Sequence, residues 1–305
     1  MEEDHYYRED KATQASLQPS LRPTNSLLPN LSSTSHFLIL MITLTLILLG
    51  IIWFRLVSIL SRGPAKPRPR PRHGLPSPPT HLLIILGSGG HTAEMLNMLS
   101  QTPNLPDDFT YRTYVVSSGD AFSALKAHEF EQSLLANVGS LSSIPDGTEP
   151  NYDVVTVHRA RKVHQSILTT PISSLRCLWD CIAVLRGTHP DLSAKKSLDG
   201  RRRLRRPAPD LILTNGPGTG VIVILASIVL RFFGDAALLP EQRSSSSAQT
   251  GGQMRSIFIE SWARVRTLSL SGRLLRPFVD RFIVQWPQLA ETGASKVEYI
   301  GPLVT

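Results

Sequence analysis

Three glycines and a histidine follow an apolar run, and together they could bind an anion. The stretch LLIILGSGGHTAEML, residues 82–96, runs from a strand pattern through a glycine turn into a helix pattern. Such a turn presents free backbone N–H groups and the positive end of a helix dipole at one point, which favours phosphate. His91 or Thr92 could also cap the helix. The predicted anion-binding residues are Gly87, Ser88, Gly89, Gly90, His91 and Thr92. The alternative is a tight turn that binds nothing.

A second glycine loop has the same arrangement further along the chain. The stretch DLILTNGPGTGVIVILAS, residues 210–227, again runs from an apolar strand pattern through glycines into an apolar helix. The loop consists of Asn215, Gly216, Pro217, Gly218, Thr219 and Gly220. Two such loops can line one cleft, although this one could also be a plain connection. The helix that follows is too short to cross a bilayer, so it is either buried or in contact with a membrane.

Several classes of site lack their sequence signatures. A dinucleotide fingerprint G-x-G-x-x-G would need glycine at Thr92, and no G-x-x-x-x-G-K-[ST] is present. The only cysteines, Cys177 and Cys181, have no zinc-ligand spacing, which predicts no metal site and a reduced, cytosol-facing domain. The run RRRLRR at 201–206 has no interleaved aromatics and indicates a solvated loop, so nucleic acid is not an expected partner.

Short β-rich runs alternate with helical runs from residue 81 onward, which predicts an α/β fold with a doubly wound parallel sheet. Loop insertions are predicted near 191–209 and 241–253. The predicted strands are His81–Leu86, Tyr111–Ser117, Tyr152–His158, Asp210–Thr214, Ser256–Glu260, Arg281–Gln285 and Val297–Ile300. The predicted helices are Thr92–Ser100, Ala121–Asn137, Lys162–Arg186, Val221–Phe233 and Gly272–Val279.

An apolar segment near the N-terminus predicts a membrane anchor. Residues 37–54 carry no charge and span about 27 Å as a helix, close to the ~30 Å bilayer core. The first 36 residues are net acidic whereas arginines follow the segment, so the N-terminus is expected outside the cytosol. The predicted organisation is a disordered lumenal extension (1–36), a transmembrane helix (37–57), a Pro/Arg-rich cytosolic tether (58–80) and a Rossmann-like domain (81–305).

Four motifs in order resemble a known family. LGSGGHTAEML, TNGPGTG, FIESWARVRTLSLSGRLL and DRFIVQWPQL are similar to the membrane-anchored subunit of the UDP-N-acetylglucosamine transferase of the dolichol-linked oligosaccharide pathway, the asparagine-linked glycosylation protein fourteen family. The resemblance covers nearly all of residues 81–305. It implies the N-terminal, acceptor-binding half of a two-protein GT-B glycosyltransferase that adds a second, β1,4-linked GlcNAc to GlcNAc-diphosphodolichol.

The resemblance also implies partners and a location. A soluble catalytic subunit would bind the donor UDP-GlcNAc, and this chain would bind no cofactor and be inactive alone. The expected location is the endoplasmic reticulum membrane, single-pass, with the nuclear envelope as a further candidate location. The preceding GlcNAc-phosphate transferase of the pathway is a further candidate partner. The C-terminal YIGPLVT suggests partner docking through Leu303 and Val304, or a last strand that completes the sheet.

An inverting transfer needs a base that removes the proton from the attacking 4-hydroxyl. His91 is one candidate, and its alternative role is to bind the diphosphate or cap the helix. Glu260 is the other candidate for base or acceptor orientation, and its alternative is an ion pair with Arg264. Glu94 could do no more than complement the helix dipole. A membrane tether that recruits a catalytic partner without touching substrate is the competing hypothesis for the whole chain.

Overall fold

The structure is a computed structural model that describes residues 33–61, 80–139, 151–161, 165–166, 169–192, 208–216, 218–234, 254–290 and 297–303. The chain divides into two compact units, residues 1–53 and 54–305. Several sequence features lie outside the described residues: the extension up to 32, most of the tether, Pro217, Val304, the RRRLRR run, most of the predicted insertion near 191–209 and all of that at 241–253.

The first helix, α1 (Ser33–Leu60), contains the predicted membrane segment. Its residues 35–60 have a mean hydropathy of 2.8, and the apolar side chains from Phe37 to Phe54 are exposed. By length and composition it can cross a bilayer. The helix extends to Leu60, three residues into the segment predicted as tether.

Seven parallel strands form one sheet in the described part of the second unit, in the order β3-β2-β1-β4-β5-β6-β7. This confirms the predicted doubly wound parallel sheet. The strands are β1 (His81–Ile85), β2 (Tyr111–Ser117), β3 (Tyr152–Val157), β4 (Leu211–Thr214), β5 (Arg255–Ile259), β6 (Arg281–Val284) and β7 (Val297–Tyr299). The helices are α2 (Gly90–Ser100), α3 (Leu105–Asp108), α4 (Ala121–Gly139), α5 (Thr170–Leu185), α6 (Thr219–Phe233), α7 (Leu270–Leu275) and α8 (Pro287–Ala290).

The strand order reverses between β1 and β4, which pair directly. Ile85 at the end of β1 is in register with Thr214 at the end of β4. The two glycine loops follow these two strands, so both lie at the point where ligands bind in open α/β sheets. The fold therefore brings together two loops that are more than 120 residues apart in sequence.

Apolar side chains cover both faces of the sheet. One core contains buried residues of α5, α6 and α7, and the other contains buried residues of α2 and α4. The strand β1 is buried along its whole length, as expected for a central parallel strand. Because both faces are packed, the carboxyl edge of the sheet is held rigidly under the loops.

The helix predicted at Lys162–Arg186 starts later, at Thr170, and this part of the prediction is wrong. Pro171 lies in the first turn, where its missing N–H costs no hydrogen bond, whereas a helix running from Lys162 through Pro171 would lose one and clash with the proline ring. The short helices α3 and α8 were not predicted from the sequence. The helix α6 begins at Thr219, two residues before the predicted start, because Gly218 has a φ of +65° and starts the turn.

Candidate functional site

The first glycine loop turns sharply from β1 into α2. Gly89 has a φ of +62°, a conformation that other residues rarely adopt, and it is the N-cap of α2. No side chain caps this helix, so the predicted capping by His91 or Thr92 is wrong. Thr92 instead contacts the carbonyl of Gly87 and the hydroxyl of Ser123. The N–H of Thr92 donates to the carbonyl of Gly89 at 3.1 Å, so the N–H groups of Gly90 and His91 are the candidate donors to a ligand at this exposed turn.

Space for a ligand exists directly beside this turn. A Cβ built on Gly89 or on Gly90 would meet no atom within 4 Å. A Cβ on Gly87, by contrast, would lie 2.7 Å from the Cβ of His91 and 3.4 Å from the Cα of Gly216. Gly87 is therefore required by close packing, whereas the positions after it are open to the outside.

The second glycine loop supports the first. Asn215 is buried, and its Nδ2 donates to the carbonyl of His91 at 2.9 Å. Gly216 packs against the backbone of Gly87, and a Cβ on Gly220 would lie 2.3 Å from the Oγ1 of Thr214. The hydroxyl of Thr219 lies 2.7 Å from that of Ser117 at the end of β2. The described part of this loop therefore holds the first loop in place. It lies at the same carboxyl edge of the sheet, where it also contacts the end of β2.

A cavity of about 450 Å³ adjoins both loops, with the first glycine turn on one side and polar side chains on the other. Its lining residues are Gly90, His91, Asn215, Phe258, Glu260, Ser261, Ala263, Arg264, Ser269 and Ser271. The structure therefore brings His91, Glu260 and parts of both glycine loops to one place. Among the described residues, no group of His, Cys, Asp and Glu side chains is arranged to hold a metal ion.

His91 lies at the first turn of α2 with its ring partly exposed to the cavity. Its Nδ1 is buried and lies 3.9 Å from the Oε2 of Glu94, one turn further along the helix.

Glu94 makes more contacts at the candidate site than the sequence predicts. Its carboxylate accepts hydrogen bonds from the backbone N–H of Trp262 at 2.6 Å, the hydroxyl of Ser261 at 3.0 Å and the Nε2 of Gln285 at 2.7 Å. It therefore joins α2 to the ends of β5 and β6. The only sequence signal was its spacing of three residues from His91, which places both on one helix face.

Glu260 ends β5 and is 1% exposed. Its Oε2 accepts from the backbone N–H of Ser269 at 3.1 Å and from the hydroxyl of Ser269 at 3.2 Å. Ser269 is itself the N-cap of α7. Burial raises the pKa of Glu260, and the hydrogen bonds from Ser269 and the charge of Arg264 offset this only in part. Among the ion pairs between described residues, none joins Glu260 to Arg264, so the predicted alternative of an ion pair is not formed.

A Glu260→Gln variant should lack one pH-dependent loss of stability. The raised pKa means that the native state binds a proton that the unfolded state has released, so native stability falls as pH rises above the ordinary range of Glu. Glutamine keeps an acceptor oxygen for Ser269 and carries no charge. We expect similar melting temperatures for both proteins near pH 4 and a higher one for the variant near pH 7, measured by thermal unfolding of the full chain.

Glu298 provides a control for which stability should depend on pH in the opposite direction. The hydrogen bond from Arg281 lowers the pKa of Glu298, so this carboxylate stabilises the native state above its ordinary range and the contribution is lost as pH falls. Glu298→Gln should therefore be slightly less stable than the unmodified chain near pH 7, with a small effect because the pair is exposed. A Glu260→Gln protein that is less stable at every pH would contradict the assignment for Glu260.

The C-terminal segment connects to the same site. Gln285 is buried, and its Oε1 accepts from the backbone N–H of Leu303 at 3.1 Å while its Nε2 donates to Glu94 and to the carbonyl of Glu260. The side chain of Leu303 packs partly against the core on the α2 side. The strand β7 completes the sheet, and the segment after it lies beside the Glu94 network.

The fold and the cavity together define a Rossmann-like α/β protein whose candidate site lies at the carboxyl edge of a parallel sheet. Residues 82–303 match the family described as oligosaccharide biosynthesis protein Alg14 like, and the chain belongs to that family. The resemblance drawn from the four sequence motifs is thereby confirmed.

Three relatives illustrate the similarity, and each is called UDP-N-acetylglucosamine transferase subunit Alg14. That of Aspergillus fumigatus is 45% identical over 232 residues, 69% of this chain and 100% of its own. That of Schizosaccharomyces pombe is 40% identical over 72% of this chain and 82% of its own. That of Mus musculus is 31% identical over 77% of this chain and 88% of its own. A solved putative UDP-N-acetylglucosamine 2-epimerase from Listeria monocytogenes matches with 12% identity and a TM-score of 0.37, a likeness too distant to bear on the site.

Proposed function

We propose that this chain is the membrane-anchoring, acceptor-binding subunit of a heteromeric UDP-N-acetylglucosamine transferase. The reaction is addition of the second GlcNAc, β1,4-linked, to GlcNAc-diphosphodolichol at the cytosolic face of the endoplasmic reticulum. The names of the relatives support a role in a UDP-N-acetylglucosamine transferase. The apolar helix α1 supports a role as membrane anchor. The observation that carries the proposal is the open N-terminus of α2 beside a cavity lined by His91 and Glu260.

The diphosphate of the acceptor binds at the turn from Gly87 to Thr92. A helix dipole alone contributes only about 0.3–1 kcal/mol, or ~2 when partly buried, so direct N–H donors are needed as well. The exposed turn offers them, and the absence of side chains at Gly89 and Gly90 lets phosphate oxygens approach the backbone. A bilayer-embedded lipid whose head group binds here would explain why the same chain carries a membrane anchor.

His91 accepts the proton from the 4-hydroxyl of the acceptor sugar. A β-linkage formed from an α-linked sugar nucleotide requires inversion, and therefore a base on the acceptor side. The carboxylate of Glu94 lies 3.9 Å from Nδ1 of the ring that receives this proton. Glu260 already accepts two hydrogen bonds from Ser269, so its role is to fix the wall of the cavity and orient the acceptor rather than to take the proton.

The catalytic subunit is a separate soluble protein that binds UDP-GlcNAc, so this chain alone is inactive and binds no cofactor. The C-terminal segment after β7, with Leu303 and Val304, is the proposed docking segment. The hydrogen bonds from Leu303 through Gln285 to Glu94 support this role, because they connect that segment to the site. The GlcNAc-phosphate transferase that acts one step earlier in the pathway is a further proposed partner at the endoplasmic reticulum membrane.

Co-purification and a transfer assay test the proposal. The full chain, isolated in detergent from its own cells, should bring with it a soluble glycosyltransferase subunit. The pair should transfer GlcNAc from UDP-GlcNAc to a GlcNAc-diphosphopolyprenol, and the chain alone should not. Transfer by the purified chain alone would contradict the subunit role. Full activity of a Gly89→Leu chain in the complex would contradict acceptor binding and leave only a membrane tether.

A further inference from the structure

Apolar side chains remain exposed on one helical layer of the domain. On α5, Ile172, Leu175 and Trp179 are 58%, 64% and 75% exposed and are spaced so that they share one helix face. On α6, Leu225 and Phe233 are 43% and 71% exposed. The two helices pack side by side on the same face of the sheet, and their other sides are buried in the core. These five side chains, here called the α5–α6 surface, therefore point away from the sheet.

Residues at the carboxyl end of α1 contact the layer formed by α5 and α6. Within the unit 54–305, the Nε of Arg55 donates to the carbonyl of Phe232 at 2.7 Å, and Arg231 donates to the carbonyl of Ile59. Leu56 and Leu60 pack against the core that contains α5 and α6. The residues that follow the uncharged apolar segment 37–54 are thus bound to the carboxyl end of α6.

The glycine turn lies at the opposite edge of the domain. Helices of a parallel sheet run antiparallel to the strands, so the carboxyl end of α6 lies at the amino edge of the sheet, and the turn after β1 lies at the carboxyl edge. The 15 residues of α6 separate the two edges by about 22 Å. A lipid-linked diphosphate and the end of an anchor are both at a bilayer surface. The amino and the carboxyl edge of the sheet can both lie at the bilayer surface only if one side of the domain lies flat on the bilayer.

We propose that the α5–α6 surface lies on the bilayer, with Ile172, Leu175 and Trp179 inserted among the lipids. This inference rests on the proposed function for the position of the acceptor. Tryptophan is enriched at the membrane interface, and a contiguous exposed apolar patch marks an interaction surface. Arg176, exposed beside the patch on α5, and the net charge of +8 favour an anionic leaflet.

Site-directed fluorescence tests the contact. The two native cysteines are buried, so a cysteine introduced by Leu175→Cys or Trp179→Cys can be labelled with an environment-sensitive dye. The matched control is Leu125→Cys, an exposed leucine on α4 at the other face of the sheet. The labelled full chain is reconstituted into phosphatidylcholine and phosphatidylserine vesicles that contain a nitroxide lipid, without acceptor and without any partner protein.

The expected result is a blue-shifted emission and a loss of fluorescence at positions 175 and 179, with neither at position 125. The absence of quenching at both α5 positions would overturn the proposal, and so would equal quenching at position 125. If the labels were shielded only after addition of a partner subunit, the surface would be a protein interface and the proposal wrong. Because the assay contains no acceptor, lipid contact together with a failed transfer assay would refute the proposed function and leave this surface standing.

Discussion

Replacing His91 with alanine should lower kcat of the assembled complex by about 10²–10⁴-fold, the usual contribution of a general base. His91 lies at the cavity, and Glu94 is 3.9 Å from its Nδ1, so alanine removes the only imidazole among the lining residues. The KM for the acceptor should change much less than kcat, because a proton acceptor acts mainly in the transition state. Steady-state transfer with a GlcNAc-diphosphopolyprenol measures both quantities.

His128→Ala is the matched control. His128 is exposed on α4 and its Nδ1 lies 3.1 Å from the hydroxyl of Tyr152, away from the cavity lining. This variant should transfer GlcNAc at an unchanged rate, and both variants should recruit the catalytic partner to membranes normally. A His91→Ala complex with a raised KM and an unchanged kcat would assign His91 to binding the diphosphate instead of proton transfer.

Glu131→Gln should destabilise the domain by about 3–5 kcal/mol, the usual cost of removing one partner from a buried ion pair. Both oxygens of Glu131 accept from the guanidinium of Arg112, at 2.6 and 2.7 Å, and one also accepts from the hydroxyl of Tyr114. Arg112 and Glu131 are 4% and 0% exposed. Burial opposes the charge on Arg112, but the hydrogen bonds and the charge of Glu131 raise its pKa overall. Without Glu131, Arg112 would be a buried charge with no counter-ion.

The free energy of unfolding, from denaturant titration of the full chain in detergent, measures this loss. Glu129→Gln is the control, because the pair between Lys126 and Glu129 on the same helix is exposed and should contribute less than about 1 kcal/mol. The double replacement Arg112→Met with Glu131→Leu should recover much of the stability, since it leaves no unpaired charge. Equal losses for Glu131→Gln and Glu129→Gln would show that the buried pair contributes no more than a surface pair.

The strands and the glycine loops could be predicted because their signals are local. Continuous apolar runs bounded by turn residues mark β1 and β4, and the glycine spacing marks the turns that follow. The start of α5 was misplaced because the helical pattern continues on both sides of Pro171, and the preference of proline for the first turn of a helix was the stronger signal. The helices α3 and α8, of four residues each, are too short to carry a recognisable period.

Most of the contacts that hold the site residues in place could not be predicted from the sequence, because they join residues that are far apart in the chain. The bond from Asn215 to His91 joins residues 124 apart, and the bond from Gln285 to Glu94 joins residues 191 apart. Such contacts follow from the strand order, which alternation alone does not determine. Glu260 was placed correctly at a strand end, but its partner Ser269 lies in a loop whose path the sequence does not specify.

Hydrogen exchange of the glycine turn tests the central claim most directly. The claim is that the N–H groups between Gly87 and Thr92 bind the acceptor's diphosphate. In the assembled complex in lipid nanodiscs, a GlcNAc-diphosphopolyprenol should slow exchange of peptides covering this turn, and the same lipid carrying a single phosphate without sugar should slow it much less. Unchanged exchange at an acceptor concentration that supports full transfer would contradict the account.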